Sequence, residues 1–177
     1  MLKVIVLLGK GRSGKDYLAK KLIKDLGCTR HAFADDLKEI YCYSHPLSVE
    51  EIEADKENHR QGLINLAENT LKKYDPAVFG KRFLTKALNP NFAAKDDFWV
   101  ITDARYKGEY DFVRDHPSVA SVSIGVTWPQ KEIEGCGYEL HDERVMAEIT
   151  NEFGADVYET QYQYILTTIK QLFAIGG

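Results

Sequence analysis

The stretch that most restricts how this chain can fold is Val4 to Leu22, 'VIVLLGKGRSGKDYLAKKL'. 'VIVLL' is a short, continuous apolar run in which three of five residues are β-branched, the pattern of a strand buried on both faces. Glycines follow at once. Beyond them Tyr17, Leu18, Leu22 and Leu26 recur at helical spacing, and Gly27 supplies a stop. A buried strand, a glycine loop and an amphipathic helix in immediate succession form a β–loop–α unit, which belongs in a parallel sheet covered by helices.

The loop has the spacing G-x-x-x-x-G-K, with Gly9, Lys10, Gly11, Arg12, Ser13, Gly14 and Lys15, and then Asp16 where a Ser or Thr usually stands. Alone the spacing is a weak signal, but between a buried strand and a helix it has the confirming context of a phosphate-binding loop. Glycines let the backbone curl so that successive N–H groups point inward, and the helix start adds about half a positive charge. Lys15 would reach the β- and γ-phosphates, with Lys10 and Arg12 adding positive charge. The alternative is a glycine-rich turn with solvated basic residues. Asp16 has two readings. A carboxylate is a hard oxygen ligand for Mg²⁺, directly or through water. Otherwise it favours the first helical turn. Without a metal, each phosphate charge about 4 Å away would repel it by roughly 4 kcal/mol at an effective dielectric near 20.

The remaining chain continues the alternation. 'TRHAF' predicts a short strand and 'DDLKEIYCY' a helix. Residues from Ser48 to about Leu88 read as helical, with Ser48 and Glu51 in a capping-box pattern and Asp75-Pro76 restarting a helix with Pro at its first position. 'NPNFAAKDD' predicts a loop, 'FWVIT' a buried strand, 'GEYDFVRD' a helix and 'VASVSIGV' a strand. The long polar stretch 'TWPQKEIEGCGYELHDER' predicts a lid. A helix near Glu143 to Phe153, a short strand 'ADVYE' and a closing helix complete the reading. In that last helix Tyr162, Ile165, Leu166, Ile169, Leu172 and Phe173 form one apolar stripe. Ligands in such sheets sit beyond the carboxyl ends of the strands, which gathers the segments after Leu8, Phe33 and Thr102 around one site.

A length of 177 residues with 44 % apolar content predicts a single domain, 1–177. A net charge of −4 and a pI near 5.8 argue against binding nucleic acid by broad charge neutralisation. Cys28, Cys42 and Cys136 lie far apart in no metal-like spacing, the pattern of thiols in a reducing cytosol. No apolar run approaches the roughly 20 residues of a membrane span. The expectation is a cytoplasmic protein with no nucleic-acid or membrane partner, working as a monomer or homodimer.

'GKGRSGKD', 'FADDLKE' and 'WVITDAR' together resemble the deoxynucleoside monophosphate kinases, common in phages and bacteria. The animal-type phosphomevalonate kinases are similar in the same places, and their middle helices resemble 'HRQGLINLAENTLKKYDPAVFGKRF', chiefly in Arg60, Asp75-Pro76 and Phe79. 'HDER', His141 to Arg144, stands where the nucleotide kinases often carry His-Pro-Ser-Glu. The resemblance implies an α/β, three-layer P-loop fold like that of nucleoside monophosphate kinases. It would have a mostly parallel five-stranded sheet, an acceptor-binding helical insert at about 35–88 and a short lid at about 127–142. It implies Mg-ATP as cofactor and a small phosphorylated acceptor, most readily a deoxynucleoside monophosphate, with phosphomevalonate as the alternative.

Residue by residue, the resemblance makes Lys15, Asp103 and Arg105 the catalytic set, with Asp103 and Asp16 toward Mg²⁺. Asp35, Lys38, Arg60 and Arg105 would hold the acceptor, and Lys131 and Arg144 are the lid cations. Each has a plainer reading. Asp103 and Arg105 would pair in a surface turn, Asp35 would cap a helix, Lys38 would be solvated, and Arg60 or Arg82 would form a surface ion pair. Tyr41, Tyr43, Phe79 and Phe83 are core residues unless one stacks on a nucleobase. A further alternative is a nucleotide-binding switch. Such a module would want a switch loop and a water-positioning Gln, neither evident in 'ITDARYKGEYDF'.

Overall fold

A computed structural model describes residues 1–89, 98–104, 106–127, 145–150 and 156–175. The strands are β1 (Leu2–Leu8), β2 (Thr29–His31), β3 (Phe98–Ile101), β4 (Val119–Thr127) and β5 (Ala147–Thr150). They form one five-stranded sheet in the order β2-β3-β1-β4-β5, with every pairing parallel. The α/β three-layer P-loop kinase-like fold expected from the sequence is the fold observed.

β1 occupies the centre, Val4 pairing with Trp99 on one side and Ser121 on the other. Its side chains alternate between two cores, which is why the run is apolar throughout. Ile5 and Leu7 pack with Leu18 and Leu22 of α1 (Lys15–Leu26) and with Ile165 and Ile169 of α8 (Asp156–Leu172). Val4, Val6 and Leu8 face the other layer, against Phe33 of α2 (Phe33–Ser44), Phe79 and Phe83 of α6 (Val78–Ala87), and Tyr110 and Val113 of α7 (Lys107–Arg114). Gly27 ends α1 in the left-handed conformation, its N–H donating to the Ile23 carbonyl at 2.9 Å.

The insert carries α3 (Val49–Ala54), α4 (Lys56–Asn65), a π-helical turn (Leu66–Leu71) and α5 (Lys72–Tyr74). The expected capping box is present: Glu51 N–H donates to Ser48 Oγ, and Ser48 N–H donates to Glu51 Oε2 at 2.7 Å. Pro76 does not open α6 as expected. It sits in a turn whose Ala77 N–H donates to Asp75 Oδ1, and the helix begins at Val78.

The main departure lies near the C-terminus. Residues 147–150, read as part of a helix, form β5, with Ile124 paired to Ala147 and Val126 to Ile149. Val145, Met146, Ile149 and Phe153 have helical spacing, but nine-residue β4 offers an open edge whose backbone groups need partners. 'ADVYE' is correspondingly not a strand, since Asp156–Glu159 open α8. Of the expected α8 stripe, Tyr162, Ile165, Leu166, Ile169 and Phe173 are buried, whereas Leu172 is exposed. Among the described residues no helix is long and apolar enough to cross a membrane. Apart from Thr127, the predicted lid lies outside the described residues, as do Arg105, Lys131 and Arg144.

Candidate functional site

The glycine loop leaves the carboxyl end of β1 in the middle of the sheet, and its backbone is built for a tight approach. Gly9 has φ 147°, and a Cβ there would lie 2.3 Å from the Val126 carbonyl oxygen of β4. Gly14 has φ 97° and is the N-cap of α1, which therefore receives no side-chain cap. Arg12 also takes a left-handed φ of 62°, a strained value for a side-chain-bearing residue. Lys15 folds back over the loop, donating to the Gly9 carbonyl at 2.7 Å and the Lys10 carbonyl at 2.6 Å. Lys10, Gly11, Arg12, Ser13 and Asp16 complete the loop and the first helical turn, with Ser13 buried.

β3 runs beside β1, Val6 pairing with Ile101, so the segment after Ile101 emerges next to the glycine loop. Asp103 does not merely lie in a surface turn. Its Oδ1 accepts the Phe33 N–H at 2.7 Å and its Oδ2 accepts the Ala34 N–H at 2.8 Å. The N-cap of α2 is Ala32, which has no side chain to offer, and Asp103 supplies the missing cap from another strand.

α2 carries the two predicted acceptor residues. Asp35 sits between two cations, Arg30 at 2.7 Å and Lys38 at 2.9 Å, so its carboxylate forms ion pairs in place of the expected cap. Burial pushes its pKa up, but the two cations outweigh burial and hold it below the ordinary carboxylate range. Lys38 is not a solvated lysine: its side chain is 10 % exposed and is shared by Asp35 and Glu53 of α3. Burial lowers its pKa, and those two carboxylates more than restore it, leaving it raised. Arg60 of α4 is largely exposed, 3.7 Å from the still more exposed Glu57. A pair of that kind contributes little and leaves the guanidinium available. Arg82 pairs with Glu39 at 3.3 Å.

Of the aromatic candidates, Tyr41, Phe79 and Phe83 are committed to packing. Tyr41 is buried and stacks on His45 with centroids 3.8 Å apart, and Phe83 meets His31 and Trp99. Tyr43 is exposed.

Two side-chain clusters escaped the sequence reading. In the first, Asp36 is fully buried between His31 at 3.2 Å and Lys86 of α6 at 2.5 Å. Its position three residues after Phe33 and four before Ile40 on the inward face of α2 was the available signal. In the second, Lys72 lies among Glu68, Glu109 and the Tyr106 ring, where only the Glu68–Lys72 spacing of four hinted at a contact.

Among the described residues no group of three or more His, Cys, Asp or Glu is arranged to hold a metal by itself. Asp16 and Asp103 offer hard oxygen donors beside a phosphate-type loop. That donor set fits Mg²⁺, which takes one or two carboxylates and fills the rest of its shell with water and substrate phosphates.

The model of the phosphomevalonate kinase family matches residues 7–118. The match begins at the end of β1 and runs through the glycine loop, the insert, the Asp103 segment and α7. No curated protein matches. A family match over more than half of the chain, on this fold, identifies the chain as a member of the phosphomevalonate kinase family and a phosphotransferase.

Proposed function

We propose that the protein transfers the γ-phosphoryl group of ATP to the phosphate of a small, non-aromatic phosphate monoester of the phosphomevalonate type, giving a diphosphate ester and ADP. The family match over residues 7–118 carries this reading. Two features of the site support it. Lys38, shared by Asp35 and Glu53, and the exposed Arg60 are the cations on the proposed acceptor side, and Tyr41, Phe79 and Phe83 are spent on the core rather than on a base-stacking wall.

An acceptor phosphate oxygen attacks the γ-phosphorus, and the bond from that phosphorus to the β-bridging oxygen breaks, leaving ADP. Such a transfer needs alignment, charge neutralisation and exclusion of water more than covalent help. Lys15 would exchange the neutral Gly9 and Lys10 carbonyls for the charged oxygens of the β- and γ-phosphates. Asp103 holds the start of α2, the helix that carries Asp35 and Lys38, against the end of β3, and from there those two side chains would face the donor. Asp16 and Asp103 would hold Mg²⁺, which would supply neutralisation of the phosphate oxygens. Arg105 would bind the transferred or acceptor phosphate, and Lys131 or Arg144 would cover it on closure.

A deoxynucleoside monophosphate is the second acceptor, favoured by 'FADDLKE' and 'WVITDAR'. The test is ADP release from Mg-ATP with phosphomevalonate and with each deoxy- and ribonucleoside monophosphate added singly. Turnover with phosphomevalonate alone supports the first reading, and turnover with one or more nucleotides replaces it with the second. ATP binding without turnover on any acceptor would make the protein a nucleotide-binding module.

A further inference from the structure

The second cluster that the sequence did not reveal lies where the insert meets the segment following β3. Tyr106 is the N-cap residue of α7, three positions after Asp103, and the intervening Ala104 is fully buried. The Tyr106 hydroxyl donates to Glu68 Oε1, in the π-helical turn of the insert. Lys72, immediately after that turn, bonds the same Glu68 oxygen at 3.3 Å, lies 3.5 Å from Glu109 Oε1 and covers the face of the Tyr106 ring. Its side chain is 12 % exposed and that of Glu109 2 %. Phe79 closes the cluster, with Lys72 Nζ 5.7 Å from its ring centroid.

Two glycines make this contact possible. A Cβ on Gly80 of α6 would lie 2.8 Å from the Glu109 carbonyl oxygen, and one on Gly108 of α7 would lie 2.9 Å from the Pro76 carbonyl oxygen. The backbones therefore approach closely on either side of the cluster. A π-helical turn is a costly irregularity that recurs at functional sites. Here it delivers Glu68 and Lys72 to the residue that terminates the Asp103 segment.

We propose that Glu68, Lys72 and Tyr106 are positioning residues, a clamp that holds the acceptor-binding insert in register with the Asp103–Tyr106 segment. The proposal rests on the kinase reading. Acceptor bound by the insert and phosphoryl group held at the strand ends belong to different parts of the chain, and phosphoryl transfer is sensitive to misplacement of the order of 1 Å. The clamp joins those parts through an exposed charged hydrogen bond between Tyr106 and Glu68, the largely buried Lys72–Glu109 ion pair and a cation–ring contact.

The experiment compares Tyr106→Phe, Glu68→Gln and their double variant in the full chain, by steady-state kinetics and by backbone hydrogen exchange. Expected are a kcat about tenfold lower in each single variant, a KM for ATP unchanged within about twofold, and a double variant no worse than either single. Exchange in residues 66–74 should quicken about tenfold while β1 and β4 keep their protection. Lys72→Met should behave as the single variants, and Lys72→Arg, which keeps the charge and the ring contact, should recover most of the activity. Single effects that multiply, or kcat and exchange both unchanged, would overturn the clamp. If no acceptor supports turnover in the wild type, the kinase reading fails on its own account. Unchanged exchange in 66–74 would then overturn the clamp independently, and faster exchange would sustain it as the link between insert and strand end.

Discussion

Asp103 accepts the Phe33 N–H at 2.7 Å across 70 residues of sequence, and with the neighbouring Ala34 N–H it makes the end of β3 the cap of α2. One carboxylate thus anchors α2 to the strand that borders the glycine loop. On the proposed function Asp103 would serve both the helix cap and the reaction, and a substitution separates the two.

Asp103→Asn keeps an oxygen for one of the two N–H groups and loses the charge. The expected stability loss is about 1 kcal/mol, the value of a helix cap, measured by urea unfolding. The expected fall in kcat is at least about 100-fold, more than that stability loss accounts for. A variant with near-normal kcat would reduce Asp103 to a cap alone.

Gly9→Ala and Gly11→Ala form a contrasting pair. At Gly9 the new methyl meets the Val126 carbonyl at 2.3 Å, and the backbone has φ 147°. At Gly11 no atom of the described residues lies within 4 Å. Gly9→Ala should destabilise the protein by about 2 kcal/mol or more and weaken ATP binding, with Gly11→Ala within about 0.5 kcal/mol of wild type. Thermal unfolding with and without ATP checks both.

Lys15 donates to two backbone carbonyls of its own loop, Gly9 and Lys10, the second bond exposed to solvent. Lys15→Ala should lower kcat about 1,000-fold, far more than its shift in melting temperature accounts for. Equal losses of stability and turnover would show a structural role instead.

The buried pair of Asp36 and Lys86 predicts a pH signature. Burial raises the Asp36 pKa, but His31 and Lys86 outweigh it and hold it below the ordinary carboxylate range. Burial lowers the Lys86 pKa, and Asp36 with Glu39 outweighs that and raises it. The Asp36 contribution is complete above the unfolded value near 3.9 and is lost as pH falls through the lower folded value; that of Lys86 is complete below its unfolded value near 10.4 and is lost as pH rises through the higher folded one. Asp36→Asn should cost about 2 kcal/mol at pH 7, less than a fully buried pair because Lys86 is one-third exposed and keeps Glu39. The gap should narrow below about pH 4. Urea midpoints of both proteins from pH 3 to 9 test this, and a constant gap across the range would refute it.

Local patterns in the chain were enough to determine the strand, loop and first helix, because burial on both faces demands an uninterrupted apolar run and glycine alone accepts the φ values of Gly9 and Gly14. The capping box and the Gly27 stop were equally legible, since their hydrogen bonds close within a few residues. Tertiary structure decided the rest. Residues 147–150 carry a helical pattern, yet the open edge of β4 takes them as a strand. Leu172 has the right spacing for the stripe on α8, but no neighbour among the described residues covers that turn of the surface and it stays exposed. Asp35, Asp36 and Lys38 were visible as charges, but which one is buried and which cation it meets depends on Arg30, Glu53 and Lys86 arriving from other elements. Spacing along a chain encodes contacts that close within a helical turn; an ion pair between α2 and α6, or a cap given by one strand end to another element's helix, exists only once the sheet has set those elements side by side.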